Sequence, residues 1–258
     1  MQITPTVEPL RAPLRRGAMR VVVAALLLLL TGGPASARQD GPPEESNLQA
    51  AYNAAIYDAS VYKFSNLRQL RPLEFDPKTG TAKVVQLTDY RGYTLGENKL
   101  GRSIWVTAVP EVQERCQGFS GDLEMRLRQL FGFPPDQRVT HFVVMNVKEK
   151  DIFRPTVDDD TKTVLPCACP MPVNCGEVFP ADVTGEHVRW FADQMLSSYL
   201  LREVPTMRSG FPWTRLGYTY DWKPGADRYG ASEYVIRPAS TVTVTAIIPL
   251  KQYCSPAP

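Results

Sequence analysis

The sequence predicts an α+β domain: a mainly antiparallel sheet carrying two or three helices and stabilised by disulfides. Three observations carry this reading. STVTVTAII, residues 240–248, alternates Val242, Val244, Ala246 and Ile248 with threonine, the period-two pattern of a half-buried antiparallel strand. The helical patterns are isolated among several strands, with no internal repeat and no alternating βα rhythm, which argues against a parallel sheet. Five cysteines follow a segment that reads as an export signal, so the default partner of each is another cysteine.

That segment comes first. RAPLRRGAMR brings Arg11, Arg15, Arg16 and Arg20, VVVAALLLLL is a ten-residue apolar run, and Ala35 and Ala37 stand before a cleavage point. These are the three parts of a secretory signal peptide over residues 1–37. Ten apolar residues are too few to cross roughly 30 Å of hydrocarbon, and no later run reaches about 18, so no stable membrane span is expected after cleavage. The expected location is secreted or periplasmic. Removing the signal takes away four arginines and one glutamate, and the formal net charge of +2 becomes −1. No basic stripe then remains, which speaks against a nucleic-acid partner.

Residues 38–46, RQDGPPEES, read as a disordered lead-in, and residues 47–258 as a single α+β domain. NLQAAYNAAIYDAS is an alanine-rich helix with Ser46 placed as its cap. VYKF, LRPLEF and TAKVVQLTDY read as strands, the last two joined by a DPKTG turn, and SIWVTAV is a strand ended by Pro110. SGDLEMRLRQLFG is a helix capped by Ser120, with Leu123, Leu127, Leu130 and Phe131 on one face and Gly132 closing it. RVTHFVVMNV is a buried strand, and an acidic loop, VDDDTK, follows soon after. TGEHVRWFADQMLSSYLL is a helix from Thr184 with Val188, Phe191, Met195 and Tyr199 as its apolar stripe. FPWTRLGYTYDW, SEYVI and STVTVTAII complete the sheet.

The cysteines are Cys116, Cys167, Cys169, Cys175 and Cys254, an odd number, so two bridges leave one thiol over. In an extended VLPCACPMPVNC, Cys167 and Cys169 point to one side with Cα atoms about 6.6 Å apart, near the upper limit for a direct bond. Distant partners are therefore expected, and all five are disulfide candidates. The functional alternative is a soft-metal site of thiolates with Met171 and His187, suited to copper or zinc. The spacing fits no zinc pattern and C-x-x-C is absent, so no metal or cofactor is assigned.

Candidate chemistry gathers elsewhere. His141 lies within an apolar strand and reads as structural. His187 falls in the first turn of a helix beside Glu186, where a helix N-terminus favours the neutral, basic imidazole, although a solvated first-turn residue is the plainer expectation. Neither G-x-S-x-G nor H-E-x-x-H occurs. FPWTRLGYTYDW is the densest aromatic stretch: on a strand, Trp213 and Arg215 face one way and Tyr218, Tyr220 and Trp222 the other. Such a face can stack on sugars, peptides or protein, or can simply pack a core. Arg215 and Asp221 are also spaced for an ion pair.

YGASEYVIRPASTVTVTAI resembles the final motif of ADP-ribosyltransferases. The resemblance gives Glu233 the role of the glutamate that polarises the nicotinamide ribose. Arg91, in TDYRGYT, takes that of the arginine that binds NAD. Ala231 stands where many such enzymes carry Gln or Glu. Separately, SIWVTAVPEVQERC, LRQLFGFPP, FPWTRLGYTYDW and the YC near the end resemble stretches of uncharacterised secreted bacterial proteins, to which no activity attaches.

The leading expectation is a non-catalytic binding or envelope-interaction module, its partner an unidentified ligand or extracellular surface. It would use Trp213, Tyr218, Tyr220, Asp221 and Trp222. The rival is a secreted enzyme, possibly NAD-directed, with Glu233, Arg215 and His187 as its catalytic residues.

Overall fold

A computed structural model describes residues 43–165, 178–202 and 209–255, with side chains from residue 45. The expected signal peptide and Cys167, Cys169 and Cys175 lie outside the described residues, all of which belong to one unit spanning Gln39–Pro258. In chain order the elements are α1 (Pro43–Ser60), β1 (Thr81–Thr88), β2 (Gly96–Lys99), β3 (Ile104–Ala108), α2 (Glu111–Cys116), α3 (Leu123–Leu130) and β4 (His141–Lys148). There follow β5 (Ile152–Phe153), α4 (Gly185–Ser198), β6 (Tyr218–Tyr220), β7 (Tyr229–Ile236), β8 (Thr241–Pro249) and α5 (Leu250–Tyr253).

The sheet runs β2-β8-β4-β1-β3-β7-β5, with β6 also on β7, and every pairing is antiparallel. The expected α+β class is therefore found. Three helices have eight residues or more; α2 and α5 are short additions. α1 begins at Pro43, inside the expected lead-in, so Ser46 is a helical residue and not its cap. Proline suits the first helical turn, and Glu45 near the start of the helix complements the positive end of its dipole. α3 is capped by Asp122, not Ser120: its carboxylate accepts from the Met125 N–H at 3.1 Å. The helix expected from Thr184 begins at Gly185, with Thr184 as its cap accepting from the His187 N–H.

The two faces of the sheet carry different cores. On one, Val84, Val106, Val143, Met145, Tyr234, Val242 and Val244 pack together. Irregular chain covers this face through Leu73, Leu100, Phe75 and Tyr93. On the other, Val85, Leu87, Phe142 and Val144 meet Val112 of α2, Leu127 and Leu130 of α3 and Tyr253 of α5. β8 serves both. Met145 of β4 pairs with Val244 and Val144 with Ala246, so Thr245 is a bulged residue that reverses the facing of everything after it. The four alternating residues 242–248 thus split between the cores.

VYKF and LRPLEF are not strands. Their backbone groups find other partners: the N–H groups of Leu70 and Leu73 donate to Val164 and Thr161 carbonyls, and that of Arg71 to the Ser232 hydroxyl. Arg154 completes this arrangement. Its side chain is fully buried, with the guanidinium within hydrogen-bonding reach of the Arg71, Asp160, Thr161 and Thr163 carbonyls and the Tyr234 hydroxyl. FPWTRLGYTYDW contributes only β6, because Arg215 at φ 61° and Gly217 at φ 79° turn the chain before it. A side chain at Gly217 would begin 2.9 Å from Leu70 and 3.1 Å from the Arg154 Cδ, so that position requires glycine twice over.

Cys116, the last residue of α2, is bonded to Cys254, just past α5, across 138 positions. Both are members of the helix-covered core. The chain-entropy argument gives such a long closure roughly 2–5 kcal/mol. Urea unfolding of the Cys116→Ala/Cys254→Ala double variant is expected to show a loss of that size, and an unchanged midpoint would contradict it. Arg154→Leu is expected to lose roughly 3–5 kcal/mol in the same measurement, since it strands several buried carbonyls at once.

Candidate functional site

Glu233 stands in a row that crosses the helix-covered face: Ala246, Val144, Val85, Thr107, Glu233, on β8, β4, β1, β3 and β7. Within that row Thr107 is the one other polar residue, and its hydroxyl donates to the Val85 carbonyl at 3.4 Å. Glu233 is 7% exposed, and its buried Oε1 has no hydrogen-bond partner among the described residues. Burial pushes its pKa up to about 8, against a smaller opposing pull from the Arg154 charge.

Beside it, beneath α4, Trp105, Trp190 and Trp213 meet with ring centroids 5.9–6.2 Å apart, and Phe153, Phe179 and Phe191 close around them. His187 belongs to this cluster. It is 1% exposed, stacked on Trp190 at 5.7 Å, with Nε2 2.7 Å from the Thr156 carbonyl oxygen. That contact makes Nε2 the protonated, donating nitrogen. The expectation of a solvated first-turn histidine is thus corrected: the inward stripe of α4 is His187, Phe191 and Ser198. Arg215 is buried at the other end, donating from Nη2 to the Ser60 carbonyl at the end of α1, with its guanidinium 5.7 Å from the Tyr199 ring centre. Burial raises Tyr199 to about 12, with Arg215 lowering it and Glu233 raising it further. Glu233 and Arg215 are therefore within electrostatic reach of one tyrosine, while His187 is held separately against Thr156.

The five expected binding residues do not form an exposed face. Trp213 is in the aromatic cluster, Trp222 donates to the Phe133 carbonyl and packs edge-on against Tyr52 of α1, and the Tyr220 hydroxyl donates to Asp58. All are buried, because the turn at Arg215–Gly217 removes the strand on which their alternation was read. Asp221 pairs with Arg126 at 3.0 and 2.5 Å and not with Arg215. Arg91 is exposed in the loop after β1, whereas Glu233 is buried.

Two of the five, Tyr218 and Asp221, line an open cleft of about 610 Å³. Its floor is Leu70, Leu130, Tyr218, Gly230 and Ser232, and its walls come from α2, α3 and the β6–β7 connection. Glu111 of α2 accepts from the Ser232 N–H at 3.0 Å and lies 3.5 Å from Arg115, whose Nη1 donates to the Tyr229 carbonyl. Arg126 bridges from Asp221 to the face of Phe119, 4.3 Å from its ring centre. The Arg68 guanidinium sits over the Tyr229 ring at 3.6 Å. The sequence reading missed Arg68, Glu111, Arg115, Phe119, Arg126, Asp227 and Tyr229. Only the i, i+4 spacing of Glu111 and Arg115 marked any of them, and EVQERC had been given no element.

No protein-family model matches the chain, and neither the curated proteins nor the solved structures yield a significant match.

An unfolded glutamate ionises near pH 4.3, about four units below Glu233 in the folded chain. Between about pH 4.3 and 8 the native state therefore holds one proton more than the unfolded state, and stability falls as pH rises through that window. Glu233→Gln removes the dependence. Unfolding at pH 4 and pH 8.5 is expected to show a variant equal to wild type in acid and more stable by roughly 3–5 kcal/mol in base; parallel pH profiles would contradict this.

Proposed function

We propose that the chain is an exported, non-catalytic binding module whose ligand seats in the cleft between α2, α3 and β7. The observation that carries this reading is the cleft itself. Its volume falls in the range of small-molecule sites, and it combines an apolar floor with aromatic walls and a few placed charges. Those charges are held by backbone and side-chain bonds, a preorganised arrangement that favours binding at low entropic cost. Export is supported by the basic, apolar and small-residue segments of the N-terminus and by the Cys116–Cys254 bond. Among the described residues no helix is long and apolar enough to cross a membrane.

The enzyme reading keeps one observation in its favour: a buried carboxyl that is neutral at pH 7 is the kind of group active sites use as a proton donor. Glu233, however, lies outside the cleft lining, as do His187 and Arg215. The soft-metal reading rests on Cys167 and Cys169, which are outside the described residues.

A fragment screen followed by amide chemical shifts separates these readings. Polar-aromatic fragments are expected to shift residues of the cleft, with Tyr229→Ala weakening them about tenfold and Glu233→Gln leaving them unchanged. Shifts confined to other regions, or binding lost only in Glu233→Gln, would refute the cleft as the ligand site.

A further inference from the structure

The six charged side chains of the cleft are unequally used. Glu111 faces Arg115 at 3.5 Å, and Asp221 is clamped by Arg126. Arg68 and Asp227 remain. Among the described residues, Arg68 meets no carboxylate within 4 Å, and its Nη1 donates to the Ser65 and Leu67 carbonyls. Those two bonds occupy one nitrogen while the guanidinium sits over the Tyr229 ring, leaving Nε and the second terminal nitrogen as a planar pair of donors. Asp227 is exposed in the β6–β7 connection and meets no cation within 4 Å among the described residues.

Tyr218 lines the cleft together with these two charges. Its hydroxyl donates to the Asn66 carbonyl at 2.8 Å, its ring meets Tyr229 edge-on at 5.3 Å, and it packs with Leu70 and Leu216. Burial raises its pKa well above the ordinary tyrosine value; among the smaller influences Arg68 lowers it and Asp227 raises it, so both charges reach the same hydroxyl. Among the described residues, a cation without an anion and an anion without a cation therefore share one cleft with an apolar, aromatic floor.

Resting on the cleft as the binding site, we propose that its ligand is a small zwitterion, an α-amino acid or short peptide with both ends free. Its carboxylate sits on Arg68, its ammonium on Asp227, and an apolar side chain lies over Tyr218, Leu70 and Leu130. A planar guanidinium takes a carboxylate through two parallel hydrogen bonds, the strongest form of that contact. Asp227, being acceptor-only, selects a donor-rich cation. The paired Glu111–Arg115 and Asp221–Arg126 groups present no net charge and leave the selection to the other two.

Titration calorimetry of the purified chain tests this with four probes: phenylalanine, the tripeptide Ala-Phe-Ala, its N-acetyl form and its C-terminal amide. At least one free-ended compound is expected to bind, and acetylation and amidation are each expected to weaken the tripeptide about tenfold or more. If phenylalanine is the tighter ligand, the free amino acid is the source; if the tripeptide is, the peptide is. Arg68→Ala should abolish the penalty for amidation alone, and Asp227→Asn the penalty for acetylation alone. Both positions are exposed, and circular dichroism checks that each variant is folded. Capped peptides binding as well as free ones, or no probe binding while fragments still shift the cleft, would overturn the zwitterion and leave the cleft standing. Loss of both kinds of binding would overturn the two readings together.

Discussion

The fold depends on one buried guanidinium. A sheet face needs a cover, and here the cover is irregular chain whose backbone polar groups cannot bond within a helix or ladder. Arg154 reaches four carbonyls from two separate stretches, Arg71 and residues 160–163, and ties them to Tyr234 on β7. Burial pulls its pKa down, while Tyr234, Asp160 and Asp158 counter that pull. An arginine suits the task because it keeps its charge under such conditions and offers five donors in one plane. Around it the constraint propagates. Gly217 is held to glycine by the Arg154 and Leu70 side chains, and the turn it makes decides which residues of FPWTRLGYTYDW reach β6.

The same turn organises the candidate site. By ending the strand pattern early, it sends Trp213 under α4 and Trp222 against α1, and leaves Tyr218 as floor for the cleft. The opposite face of β7 carries Glu233 among apolar and aromatic neighbours, a position with a large desolvation cost for an ionised carboxylate. The molecule thus separates two kinds of polar group. Those of the cleft are paired or face water, whereas those beneath α4 are sequestered. The cleft opens to solvent without reaching Glu233, which is not among its lining residues.

Legibility in the sequence followed the range of the interaction. Period-two and 3.6-residue patterns are local, and β1, β3, β4, β8, α3 and α4 could be read from them. Asp122 in place of Ser120 as a cap is an error of two residues within a motif that was read correctly. The failures have another cause. β2, GENK, has no apolar alternation because it is an edge strand, and LRPLEF resembles a strand although its partners are side chains. His187 resembled a solvated residue because the identity of the buried stripe on α4 depends on which side meets Trp213. The cleft was invisible for the same reason. Arg68, Arg115, Arg126 and Asp227 come from four elements or connections, and nothing local distinguishes them from ordinary surface charges.

β8 has a property that neither of the two cores has alone. Before Thr245 it gives Val242 and Val244 to the core under the irregular cover; after it, Ala246 and Ile248 go to the core that holds the disulfide. One inserted residue switches the face to which the strand's apolar side chains point. Neither layer can lose its packing without withdrawing side chains that are rigidly continuous with the other. The bulge therefore lets β8 supply both layers with one run of alternating residues, as β1 and β4 do by setting Val84 beside Val85 and Val143 beside Val144.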